Sequence, residues 1–139
     1  MSMWWIYALL SALFAALTAI FAKIGIKGVD SDLATALRTV VILVVAWGIA
    51  IFRGSTSSLP GLTRHNLLFI GLSGIATGLS WIFYFKALQI GQVSKVAPVD
   101  KLSVALAIIF SVLFLGESLT LKTALGAMLI ICGSIVLIF

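Results

Sequence analysis

Five charged side chains, Arg38, Lys86, Lys95, Asp100 and Lys101, lie inside or at the ends of long apolar runs. A charge at the centre of a bilayer costs about 2.5–3.5 kcal/mol on insertion scales, so in such a setting each needs a partner, a route to the surface or a task. Lysine and arginine can run their stems along apolar surface and place the charge among headgroups. That accounts for Lys86 and Lys95. For Arg38 and Lys101 it competes with a second role, the attraction of an anionic or zwitterionic solute. Asp100 is too short to reach the surface, so it must meet a cation, a water-filled cavity or a proton, and it is the candidate for proton exchange. Its neighbour Lys101 points about 100° away on a helix, which leaves Arg38 or a residue of another subunit an equally good partner.

Polar residues recur at helical spacing around these charges. Asp100, Ser103, Ala107 and Ser111 fall on one stripe, and Ser73, Thr77, Ser80, Trp81 and Tyr84 on another. In a membrane such stripes serve either as helix-packing faces or as the lining of a polar cavity. Pockets for organic solutes combine aromatic faces with a few hydroxyls, so Arg38, Thr77, Ser80, Trp81, Tyr84, Asp100, Lys101 and Ser103 form the candidate substrate-binding set. Gly74 and Gly78 form a GxxxG pair, and Gly126 and Gly133 mark the last apolar run in the same way. Small residues allow close approach of helices within a chain or between chains, so these four are candidates for packing or a dimer contact.

The elements that would carry these residues follow from composition. The chain has 139 residues, 63% hydrophobic and 9% charged, against about 45–50% and 25% in soluble domains. A soluble core of this size could not hide that much apolar surface. Spans are expected at about 4–24, 33–52, 66–88, 94–115 and 121–139, a single all-α bundle of five transmembrane helices with no extramembrane domain. The first run has no preceding Lys or Arg and continues past residue 20, so it reads as a permanent helix and not as a cleaved signal. Trp4, Trp5 and Tyr7 suit an interfacial belt. Ser31 or Asp32, Thr63 and Thr120 suit the N-caps of the second, third and fifth helices. Pro98 falls in the first turns of the fourth, where a missing N–H costs least. The segment 53–61 has loop composition.

Charge excludes several functions and bears on orientation. The net charge of +5 comes from basic residues dispersed at helix ends, which matches membrane flanks and no nucleic-acid partner. Cys132 is the single cysteine, and the single histidine, His65, falls in a loop. No nucleophile–base pair, metal-ligand set or cofactor motif is visible, so neither an enzyme nor a cofactor is expected. Near the helix ends, Arg53, Arg64 and Lys122 lie on the side of the N-terminus, and Lys23, Lys27, Lys86 and Lys95 on the other, with Arg38 and Lys101 deeper on that second side. The excess favours a cytoplasmic second side, and it is small enough to permit insertion both ways.

The runs AIFAKIGIKG and ALRTVVILV resemble the first two helices of the EamA domain of the drug/metabolite transporter superfamily. The stretch FYFKALQIGQVSKVAPVDKLSVALAIIFSVLFLGESLTLKTALGAMLIICGSIVLI is similar to its third to fifth helices. Lys23 and Arg38 match the family's basic positions, Pro98 its helix-four proline, and Gly116 with Glu117 its helix-four terminus. Asp100 and Lys101 depart from it, standing where many members are apolar. The resemblance implies a secondary transporter of small organic metabolites in a bacterial or archaeal cell membrane, usually built from two five-helix halves of opposite orientation. This chain supplies one half, so an antiparallel homodimer, or a heterodimer with a paralogue, is the implied partner arrangement, with a small-molecule substrate and the lipid bilayer. Small multidrug exporters of the superfamily use a helix-one glutamate for cations. Residues 1–29 here contain no acid, which argues against that mechanism. The rival reading is a non-transporting assembly or lipid-binding subunit.

Overall fold

The computed structural model describes residues 3–139, and every regular element among them is helical. Helix α1 spans Trp4–Gly25, α2 Ser31–Phe52, α3 Arg64–Ile90, α4 Val93–Asp100, α5 Leu102–Leu115 and α6 Leu121–Ile138. Helices α4 and α5 follow one another through Lys101 and make a single span, Val93–Leu115, so five segments are long and apolar enough to cross a bilayer. At 1.5 Å per residue, the 22 residues of α1 or α2 extend about 33 Å, against a hydrocarbon core of about 30 Å. The chain is an all-helical, multi-pass membrane protein.

The helix ends are set by local chemistry. Asp30 caps α2, its Oδ1 accepting from the Asp32 N–H at 3.0 Å and the Leu33 N–H at 3.1 Å. The cap therefore precedes Ser31 and Asp32, the expected positions, because the carboxylate of Asp30 can satisfy two orphan donors at once. Ser31, freed from capping, is buried, and its carbonyl accepts the Thr35 hydroxyl at 2.8 Å. Gly28, at φ +79°, makes the left-handed turn between α1 and α2. Thr63 caps α3 through the Asn66 N–H at 3.1 Å, and Thr120 caps α6 through the Thr123 N–H at 3.2 Å. The stretch read as a loop winds into a 3-10 helix, Ser55–Gly61, after Gly54 ends α2 in a left-handed conformation.

Among the described residues two units form, one of residues up to Phe21 with Ile90–Phe139, the other Ala22–Gln89. In the first, α6 packs along α4 and α5, with Ala105 and Ser134 buried. Lys95 Nζ donates to the Ile138 carbonyl at 3.3 Å and so satisfies one of the last acceptors of α6. In the second, Phe85 and Leu88 of α3 are the fully buried large side chains, and Ser31 and Thr35 are buried polar ones. Nearly all other large apolar side chains point outward, from Leu13 and Phe14 on α1 to Leu129 and Val136 on α6. In water such a surface would be an aggregation liability; in lipid it is the solvated face.

Candidate functional site

Within the unit Ala22–Gln89, Arg38 sits in the second turn of α2 and meets α3. Its Cζ lies 4.5 Å from the centroid of the Trp81 ring and 4.7 Å from that of Phe85. Residues 81 and 85 are one helical turn apart, so α3 presents both rings to one guanidinium. Tyr84 meets Phe85 edge-on, with centroids 5.8 Å apart and planes at 77°. Arg38 is half-buried, and an ion held at ring faces gains about 0.5–2 kcal/mol per contact, more as water is removed. Arg38, Trp81 and Tyr84 are thus gathered into one aromatic-walled cluster. Phe85, which sequence reasoning passed over, completes it; its position four residues after Trp81 was the available signal. Thr77 Oγ1 donates to the Ser73 carbonyl at 2.8 Å, so its hydroxyl is engaged by its own helix, and Ser80 is exposed.

The other charged group lies in the first unit. Lys101 Nζ contacts Asp100 Oδ2 at 3.3 Å, with the side chains 55% and 33% exposed respectively. Asp100 is therefore paired with its sequence neighbour, whose long, half-exposed stem lets the ammonium reach back to the carboxylate although the backbone at Lys101 stays right-handed helical, at φ −71° and ψ −9°. The fourth span, expected over 94–115, runs Val93–Leu115 with one tighter turn inside it. There the Lys101 N–H bonds the Pro98 carbonyl at 3.1 Å and the Val104 N–H bonds the Lys101 carbonyl at 3.0 Å, both of the i to i+3 kind. Pro98 is the sixth residue of α4, so its missing N–H withdraws a bond from the Ser94 carbonyl inside the helix and not at its orphan end. Ser134 of α6, buried, donates its hydroxyl to the Pro98 carbonyl at 2.9 Å. Irregular backbone at membrane depth is tolerated where a neighbouring hydroxyl supplies such a bond. Ser103 lies just beyond the break and is exposed.

The end of the span is equally specific. Gly116, at φ +68°, lets both its own N–H and that of Glu117 converge on the Ser111 carbonyl. This accounts for Gly-Glu at that point and places Glu117 outside the helix. A Cβ added at Gly74, Gly78, Gly126 or Gly133 would meet no heavy atom within 4 Å of its own unit, so these small faces are open. Cys132 on α6 is exposed. Two recesses in the unit Ala22–Gln89 are lined by other residues: one of about 560 Å³ by Lys23, Ile24, Ile26, Lys27, Gly28 and Gln89, and one of about 250 Å³ by Ala46, Trp47, Ala50, Ser55, Thr56 and Leu59. Among the described residues no three His, Cys, Asp or Glu side chains gather as metal ligands would.

Five helices long and apolar enough to cross a bilayer, with a charged turn in one of them and an arginine held over aromatic rings, define a polytopic membrane protein. Residues 2–139 match the EamA-like transporter family, and the chain belongs to it. It is 51% identical over 134 residues, 96% of its own length and 95% of the relative's, to a Sinorhizobium protein named as an uncharacterized transporter in the cobO 3' region. It is 35% identical over 127 residues to human solute carrier family 35 member G1, covering 90% of this chain and 34% of that protein. No solved structure matches it significantly. The bacterial relative fits residence in a bacterial inner membrane.

Proposed function

We propose that this protein is half of a secondary transporter that moves a small organic solute by alternating access, working as a pair of inverted five-helix halves. The partner is a second copy inserted in the opposite orientation or a paralogue. The observation that carries this reading is the interruption of the fourth span at Asp100 and Lys101, since broken helices with polar termini are where transporters hold solutes and coupling ions. In this reading Arg38 and Lys101 attract an anionic or zwitterionic group, and Trp81 and Tyr84 hold apolar parts of the solute. Thr77, Ser80 and Ser103 offer hydroxyls, and Asp100 exchanges a proton when Lys101 turns away. Gly74, Gly78, Gly126 and Gly133 line helix faces that a partner half covers. The chain covers about a third of the human relative, as expected where a longer member carries more than one such unit. No catalytic step is assigned to any residue.

The test is transport by reconstituted protein, with the solute first chosen by thermal-shift screening against amino acids, sugars, organic anions and organic cations. Asp100→Asn should fold with an unchanged melting temperature and lose the dependence of uptake on an imposed pH gradient. If it instead abolishes assembly and leaves any residual uptake equally pH-driven, the transport role of Asp100 falls and a non-transporting assembly subunit becomes the better reading.

A further inference from the structure

The larger recess lies at the end of α1 and holds none of the residues given roles above. Its volume, about 560 Å³, is in the range of organic-ligand pockets. Two of its six lining residues are lysines, and none is acidic. Lys23 is half-buried and donates to the Leu88 carbonyl near the end of α3, which holds its charge at a defined place. Lys27, just past the helix, is exposed, and Lys86 is three residues before Gln89 on the same face of α3. Gln89 Nε2 donates to the Val29 carbonyl at 2.7 Å and ties the turn to α3. Asp30, the acid nearest in sequence, is occupied as the α2 cap, with its carboxylate on two backbone N–H groups.

The lining is polar at one edge and apolar at the other. Ile24, in the last turn of α1, is 69% exposed, whereas Ile26, just past the helix, is buried. Since α1 and α3 are long and apolar enough to cross a bilayer, their ends, which border the recess, are expected at headgroup level. Basic pockets between transmembrane helices at this depth suit phosphate-bearing headgroups.

We propose that the recess binds the phosphate group of an anionic membrane lipid, with Lys23 and Lys27 facing the phosphate and Ile24 lying against the start of an acyl chain. The inference does not depend on the transport reading. A zwitterionic lipid carries the same phosphate with a compensating cation, and the recess has no acid to receive that cation, so the preference is for net negative charge.

The purified full chain, examined by native mass spectrometry with phosphatidylglycerol and phosphatidylcholine of identical acyl chains, should retain phosphatidylglycerol about fivefold or more over phosphatidylcholine. Lys27→Gln should cut that preference about fivefold and Lys27→Arg should keep it, because the side chain is exposed and neither change disturbs the fold. Lys122→Gln, at the opposite membrane face, should leave it unchanged. Equal retention of the two lipids, or full preference in Lys27→Gln, overturns the proposal. If sn-glycerol 3-phosphate or inorganic phosphate binds with Lys27 dependence while phosphatidylglycerol shows no preference, the ligand is a soluble phosphate compound and the lipid assignment is wrong.

Discussion

A guanidinium lying on aromatic faces keeps its N–H donors in its own plane, directed past the ring edges, so stacking fixes the ion without consuming its hydrogen-bonding capacity. The guanidinium carbon of Arg38 lies over the rings of both Trp81 and Phe85. An ammonium is a point charge with no face to stack, so Arg38→Lys preserves charge and loses geometry. We expect Arg38→Lys to lower thermal stability by about 1 kcal/mol, from the loss of one to two ring contacts, and to weaken binding of any carboxylate-bearing solute found by screening. Equal melting temperatures and equal affinities for wild type and Arg38→Lys would show that the rings merely neighbour the ion. Arg38 was legible in sequence as a charge that needed a reason, because its cost is a property of the residue and its surroundings. Its aromatic partners were only half legible: the stripe that nominated Trp81 and Tyr84 was drawn through polar residues and stepped past Phe85.

At the scale of elements, the five spans could be read from hydropathy because lipid demands nearly continuous apolar segments, and that demand is local in sequence. The break at Lys101 could not be read in this way. Beside it a hydroxyl of α6 reaches the Pro98 carbonyl 36 residues earlier in the chain, a contact that only packing reveals. The cap of α2 was displaced because Asp30, Ser31 and Asp32 are all good caps, and among them the Asp30 carboxylate accepts two backbone N–H groups while Ser31 is buried. If Ser134 holds the break, Ser134→Ala leaves the Pro98 carbonyl with one donor fewer, and backbone hydrogen exchange across residues 98–104 should accelerate several-fold while the rest of α6 is unaffected. Ser134→Thr, which restores a hydroxyl, should return exchange to near the wild-type rate. Uniform acceleration along α6 in Ser134→Ala would mean that the hydroxyl serves general packing and not the break.

Among the described residues the spans number five, an odd count, and the basic flanks are nearly evenly distributed between the two sides. An inverted partner encoded by the same chain requires that both orientations occur. A reporter fused after Phe139 and expressed without any paralogue should then report from both faces of the membrane in comparable amounts, and adding one lysine to the 53–61 segment should shift the ratio strongly to one face. A reporter found on one face in essentially every molecule rules out the self-paired arrangement and leaves the paralogue. Composition and resemblance made the class legible in sequence, but the partner was not, because a partner's surface is not written in this chain. The open faces at Gly74, Gly78, Gly126 and Gly133 mark where such a surface could rest.

The spans also differ in reach. The 27 residues of α3 extend about 40 Å, whereas the 18 of α6 extend about 27 Å. The extra length of α3 includes polar ends, Arg64, His65 and Asn66 at one and Gln89 at the other, which suit the headgroup region. Thicker membranes favour an upright α3 and strain α6, and thinner ones do the reverse. Because α3 carries Trp81, Phe85 and Gln89 of the basic recess together, any tilt by which it meets a thinner bilayer turns the aromatic cluster and the recess wall as one.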